Sequence, residues 1–276
     1  MNNICTRRLY VDSPYGQVHV RESRPHGIQV NKAPLVCFHQ SPLSGLQYKV
    51  FQEAMAKDRI VWCPDTPGFG GSDGPPSKVR ISDYADTMHS VSESLCVGAG
   101  LEHNIDLFGS HTGSAISIDM AVRYPKVVRR AVLASVAHFN LLEKKIMTEK
   151  FGGEPPYFSD ISFVSKLYSQ TVLNGAPELS LERRLEFFAE RLRSGLKAWY
   201  APNAVMNYDT NKNLKNISSR CLVIVLDDML AKNSRHAASL IPNVTMIEKL
   251  DIDHALAFDL HASEMSKTIR DFLNSA

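Results

Sequence analysis

The segment Ile105-Asp106-Leu107-Phe108-Gly109-Ser110-His111-Thr112-Gly113-Ser114-Ala115 constrains this chain more than any other. It starts as a short apolar run of the buried-strand type and continues, after Gly113, as a helical pattern over Ser114–Arg123 that stops near Tyr124-Pro125. Only a tight turn separates the two. Such a turn forces one residue into a strained backbone and pushes its side chain out above the sheet. Small residues two positions before and after it relieve the clash. Gly109 and Gly113 fix the register, so the residue at the tip is His111.

Further short apolar runs have the character of strands buried on both faces: Leu35–Phe38, Ile60–Cys63, Ala131–Ala134, Cys221–Val225 and, more weakly, Val244–Ile247. Helical patterns lie between and after them, over Gln47–Ala56, Ser82–Ala99 with Ser82 as N-cap, His236–Leu240 and Ser263–Leu273. Alternating strands and helices predict an α/β fold with a mostly parallel sheet. Ahead of them, Leu9–Asp12, a Pro/Gly turn and Gln17–Arg21 read as an antiparallel hairpin. The alternation breaks between 139 and 215, where helical patterns (Leu141–Lys150, Ile161–Leu173, Leu181–Leu196) run without a strand. The expected organisation is a core of 1–138 and 216–276, with a helical cap inserted at 139–215. At 276 residues such a chain can bury a full core.

Composition removes several classes. A net charge of +2, with no basic block, argues against nucleic acid and anionic membranes as partners. No run approaches the roughly 20 apolar residues of a membrane span. The N-terminus has no apolar h-region, so a cytoplasmic protein, monomer or homodimer, is expected. The five cysteines lack metal-ligand spacing and read as reduced structural thiols. There is no P-loop and no dinucleotide fingerprint, so no cofactor and no metal is expected.

Two further places carry chemistry. Phe38-His39-Gln40-Ser41-Pro42 follows the first parallel strand, where backbone N–H groups can face a developing negative charge. Asp227 and Asp228 end the run Cys221–Val225, and His254 follows the last strand. The order turn residue, acid, histidine along the chain matches that of a hydrolytic triad.

These features, with Pro64-Asp65-Thr66-Pro67-Gly68-Phe69-Gly70-Gly71-Ser72-Asp73 and the tail from Ile241-Pro242 to His254, resemble the α/β-hydrolase superfamily along nearly the whole chain. The resemblance implies an α/β-hydrolase fold with a nucleophile elbow. It makes His254 the catalytic histidine, Asp228 or Asp227 its acid, and the N–H groups of Ser41 and Thr112 the oxyanion hole. His111 stands where the family has Ser, Asp or Cys, and Gln40 replaces the usual Gly after His39.

The implied activity is hydrolysis of an ester, thioester, lactone or carbon–carbon bond in a small, partly apolar substrate. His111 has three readings: nucleophile, general base, or an inert pocket group. They correspond to a hydrolase, to a cofactor-independent lyase or oxygenase using His111 and His254 as bases, and to a non-catalytic binder. Ser110, just before the tip, is expected to point elsewhere; His39 and Asp65 read as structural. Gln40 and, from the aromatic-rich insertion, Trp199 and Tyr208 are the expected substrate contacts.

Overall fold

The computed structural model describes residues 4–27, 29–154 and 160–275. Tyr157 and Phe158, part of the aromatic content of the insertion, lie outside these. Eight described strands form one sheet: β1 Ile4–Ser13, β2 Gly16–Pro25, β3 Leu35–Phe38, β4 Val61–Pro64, β5 Ile105–Ser110, β6 Val128–Ala134, β7 Arg220–Asp227 and β8 Val244–Asp253, in the order β1-β2-β4-β3-β5-β6-β7-β8. β1 and β2 pair antiparallel as a hairpin, and β2 joins β4 antiparallel. From β4 to β8 every pairing is parallel.

Ten α-helices accompany the described strands: α1 Lys49–Met55, α2 Ile81–Ala99, α3 Thr112–Arg123, α4 Leu141–Phe151, α5 Ile161–Tyr168, α6 Leu181–Arg193, α7 Tyr200–Met206, α8 Thr210–Lys215, α9 Ala231–Ala238 and α10 Ala262–Asn274. α7 and α8 have no counterpart among the expected helices; they are one to two turns long, too short for a periodic signal. The N-cap of α2 differs from expectation. The helix begins one residue before Ser82, after Arg80, whose N–H donates to the Asp83 carboxylate at 2.9 Å. An acid three residues into a helix can reach back to the cap N–H, and that outcompetes the shorter serine here.

The central strands read as unbroken apolar runs because helices cover both faces. Val36 and Phe38 join one buried cluster with Ile81, Tyr84, Met88 and Val91 of α2 and Ile116 and Met120 of α3. Leu35 and Cys37 face the other way, into a cluster with Phe51 of α1 and Met265, Ile269 and Leu273 of α10. On β7, Val223 and Val225 enter the first cluster, and Leu222 and Ile224 the second. The period of two thus puts alternate side chains into two cores. Each fully buried aliphatic or aromatic side chain contributes roughly 1.5–3 kcal/mol. The result is a rigid three-layer scaffold, with the C-terminal ends of β5, β6 and β7 opening toward the helices between β6 and β7.

No helix among the described residues is long and apolar enough to cross a membrane. Cys37, Cys63, Cys96 and Cys221 are buried free thiols, whereas Cys5 is exposed.

Candidate active site

The turn after β5 has the geometry that its glycines require. His111 has φ 51° and ψ −115°, a backbone conformation that L-residues avoid. A Cβ on Gly113 would stand 1.9 Å from the Phe38 carbonyl oxygen, and one on Gly109 would stand 2.2 Å from that of Gly113. Strand and helix therefore approach too closely for any side chain at either position. Ser114 Oγ donates to the His111 carbonyl at 2.6 Å and closes the first turn of α3. Strain of this kind persists only where the surroundings enforce it.

Three ends of the sheet bring three side chains together above this turn. His111 Nε2 lies 3.8 Å from Asp228 Oδ2, just past β7. The imidazole of His254, after β8, meets that of His111 edge to face with centroids 4.5 Å apart. Adjacent strand ends make the meeting possible: the His254 N–H donates to the Asp227 carbonyl at 3.2 Å.

Asp228 is fixed from below, Oδ2 accepting from Ser135 Oγ at 2.5 Å and Oδ1 from the Leu230 N–H at 2.7 Å. Ser135, at φ 52°, is the other non-glycine residue with positive φ among the described residues, and both adjoin Asp228. Asp227 also lines the cavity, but its carboxylate makes no hydrogen bond among the described residues. Of the two expected acids, Asp228 is the one held against the imidazoles.

Ser110 departs from expectation. Its Oγ shares a 2.9 Å hydrogen bond with His254 Nε2, although the side chain is fully buried at the end of β5. Ser110 is the last residue of β5 and His111 begins the turn that follows it. No sequence signal announces this contact, because it depends on where the loop after β8 returns.

Desolvation depresses both imidazole pKa values, that of His111 to about 3 and that of His254 to about 4. For His111 a charge on His254 would lower it further, and the Asp228 carboxylate opposes the shift. Both rings are therefore neutral at pH 7. His111, His254 and Asp228 each offer a ligand atom within 4.8 Å of the others, the group among the described residues that could hold a metal ion.

A cavity of about 530 Å³ rises from this floor. Gln40, Leu43, Phe258, His111, Asp228 and His254 line its sheet side, and residues of α6 and of the π-helical turn Ser169–Leu173 its far side. Trp199 and Tyr208 do not line it. Trp199 meets Tyr200 edge to face with Lys78 over its ring, and Tyr208 belongs to a separate cavity beside His138. Aromatic content identified the segment as pocket-forming, but it carried no signal for which rings face which cavity.

Ser41 and Thr112 flank the floor rather than line the cavity. Thr112 opens α3, where backbone N–H groups lack intrahelical acceptors. The Gln40 N–H is already engaged by Gln47 Oε1 at 3.0 Å. His39 is fully buried, donating from Nδ1 to the Gln40 carbonyl and accepting the Thr66 N–H at Nε2, both at 2.8 Å. Asp65 accepts from His19 and from the Gly45 and Gly71 N–H groups. Both act in the loop architecture, as their sequence context implied.

A family model described as alpha/beta hydrolase fold matches residues 33–224. The chain belongs to the α/β-hydrolase fold family. It is 25% identical over 197 residues to Lipase 3 of Moraxella sp. (strain TA144), covering 60% of this chain and 61% of that protein. It is 31% identical over 108 residues to 2-hydroxymuconate semialdehyde hydrolase of Pseudomonas sp. (strain CF600), covering 38% of this chain and 36% of that protein. The chain thus spans less than two thirds of the length of these relatives. A crystal structure of a hydrolase from Pseudomonas aeruginosa PA01 superposes with a TM-score of 0.75 at 17% identity, covering 98% of this chain and 99% of that one. At that identity the likeness bears on the fold.

Proposed function

We propose that this protein is a hydrolase that cleaves an ester, thioester, lactone or carbon–carbon bond in a small, partly apolar substrate, using imidazole chemistry in place of a serine nucleophile. The observation that carries the reading is the neutral His111 imidazole, raised by the strained turn to the cavity floor beside His254 and 3.8 Å from Asp228. Relatives named as a lipase and as 2-hydroxymuconate semialdehyde hydrolase support the reaction class.

In this reading a water molecule attacks the substrate carbonyl while His111 Nε2 accepts its proton. Asp228, held by Ser135 and Leu230, opposes the imidazolium charge that forms. In this reading the N–H groups of Thr112, at the start of α3, and of Ser41 donate to the developing oxyanion. The His111 imidazolium then returns that proton to the leaving group, while the His254 ring, held by Ser110, stands edge-on beside it. The described helices α4 to α8, within the expected insertion 139–215, act as the cap that separates the reaction from bulk water. The product of the attack is an acid and the released alcohol, thiol or carbon acid. The location of His111 at the tip of the turn favours a second course, direct attack by its imidazole to give an acyl-imidazole that water then cleaves.

The test is turnover of a panel of short activated esters and thioesters by wild type and His111→Ala side by side. A loss of about a hundredfold or more in the variant is expected for removal of a base or nucleophile. Acid-quenched mass spectrometry separates the two courses, because an acyl group on His111 adds the substrate's acyl mass to that residue. If wild type never exceeds the buffer rate, the hydrolytic reading falls. Proton abstraction in a lyase or oxygenase, or binding without chemistry, then takes its place.

A further inference from the structure

The cavity has two chemically different walls. The sheet side carries Asp227, Asp228 and Asp253 around the two imidazoles. The opposite wall is α6, whose Arg184, Phe187 and Arg191 are spaced i, i+3, i+7 and so share one helical face. Thr171, from the π-helical turn that extends α5, completes that wall.

Two successive arginines of α6 are used in opposite ways. Arg183 is committed to structure: it pairs with Asp259 at 2.9 Å and Glu186 at 2.8 Å, and donates to the carbonyls of Leu46 and Gln47. Arg184 forms no ion pair with a described carboxylate, and its one hydrogen bond among the described residues runs from Nη1 to the Val172 carbonyl at 2.5 Å. Its Nε is shielded from solvent without an acceptor, as is the hydroxyl of Thr171, a residue only 9% exposed. A part-buried guanidinium without a counter-charge, beside an unpartnered buried hydroxyl, is costly to maintain. A ligand that supplies the missing acceptors offsets that cost.

We propose that the α6 wall is a carboxylate subsite and that the substrate is an acid: a half-ester, a lactone acid or a keto acid, with its carboxylate at one end and its scissile bond at the other. Arg184 takes the carboxylate through its planar fork, Arg191 adds positive charge along the same face, and Thr171 donates its hydroxyl. Phe187, between the arginines, covers the apolar middle of the molecule. Asp227, Asp228 and Asp253 repel a carboxylate from the reaction end, so the two walls together fix which way the substrate lies. The assignment rests on the hydrolytic reading for its scissile bond, but the subsite itself is a binding claim.

It is tested by two independent measurements. Titration calorimetry of sodium glutarate and of uncharged glutaramide into wild type, Arg184→Gln, Arg184→Lys and Thr171→Val reads the subsite without turnover. Glutarate is expected to bind wild type at least tenfold more tightly than glutaramide. Arg184→Gln should lose that preference, Arg184→Lys keep part of it, and Thr171→Val weaken it severalfold, with melting curves confirming that each variant is folded. Steady-state kinetics of p-nitrophenyl glutarate against p-nitrophenyl butyrate then reads the substrate class. The acid is expected to win in kcat/KM, with the advantage lost in Arg184→Gln mainly through KM. Equal binding of glutarate and glutaramide to wild type, or an undiminished preference in folded Arg184→Gln, overturns the subsite. Selective glutarate binding without turnover of either ester retains the subsite and sinks the hydrolytic reading instead.

Discussion

The rings of His111 and His254 stand edge to face at 4.5 Å, and each is uncharged at neutral pH because the protein around them replaces water. A proton on either ring would be poorly solvated, and a second proton would sit against the first. With folded-state values of about 3 and about 4, the neutral pair persists far below the ordinary histidine range near 6.5.

A pH–rate profile follows from this. kcat/KM is expected to stay level from pH 8 down to about pH 5 and to fall only as the pH approaches the depressed values near 4. An inflection between pH 6 and 7 would contradict the depressed values. The same shifts set a stability trend. The unfolded chain binds protons at these histidines below about pH 6.5, while the folded chain does not until near pH 4, so their contribution is fully present above pH 6.5 and is lost as the pH falls through that window. The difference in melting temperature between wild type and His111→Ala/His254→Ala, followed from pH 7.5 to 4.5, isolates it from the carboxylates. Wild type should lose stability faster on acidification.

Ser110 is the partner of His254, and removing its hydroxyl separates a positioning role from a nucleophilic one. Ser110→Ala deletes a hydrogen bond worth about 1 kcal/mol, so kcat is expected to fall about tenfold or less with KM little changed. A serine nucleophile would instead lose several orders of magnitude and would be labelled by a fluorophosphonate. Intact-mass spectrometry after fluorophosphonate treatment is expected to show no adduct on wild type, and an adduct on Ser110 would refute the positioning role.

Much of this architecture was legible because it follows from local rules. The apolar runs of β3 to β7 have to be covered on both faces, and the Gly109–Gly113 spacing admits no side chain at either end, so the parallel α/β core and the tip position of His111 follow from the chain alone. The choice between Asp227 and Asp228 was not legible. It turns on Ser135 holding one of them, and on a strained backbone at Ser135 that no motif marks. Trp199 and Tyr208 differ from expectation for a related reason. They flank the short helix α7, whose packing turns Tyr208 to a separate cavity and Trp199 onto Tyr200 and Lys78. The sequence marked Leu181–Leu196 only as a helical pattern, and the contrast between Arg183 and Arg184 exists only once their partners are in place.

Gly113 offers a test of the turn that is independent of activity. Its added Cβ would meet backbone, the Phe38 carbonyl at 1.9 Å, which no rotamer change can relieve. Gly113→Ala is expected to destabilise the protein by about 3 kcal/mol or more, lowering the melting temperature by roughly 6–12 °C for a domain of this size. Gly98 lies in α2, and a methyl group in place of its hydrogen would meet nothing within 4 Å. Gly98→Ala should therefore stabilise by about 0.5–1 kcal/mol. Equal effects of the two substitutions would show that the strand–helix approach after β5 is looser than described.

Zinc is expected to inhibit by occupying the groups that must accept and return protons. His111, His254 and Asp228 offer two neutral imidazoles and a carboxylate, all within 4.8 Å of one another. Ligands bound to zinc at about 2.0–2.2 Å lie roughly 3.4 Å apart, so modest side-chain rotations close the set, with a fourth position left toward the cavity. Magnesium and calcium prefer oxygen donors and should have little effect at the same concentration. Activity measured against added Zn²⁺ should fall in the micromolar range and return with EDTA. Calorimetry should show one zinc per chain in wild type and weaker binding in Asp228→Asn, where the carboxylate charge is gone but the shape is kept. Inhibition of equal strength by magnesium, or zinc binding unchanged in Asp228→Asn, would mean that the three side chains do not converge as their distances indicate.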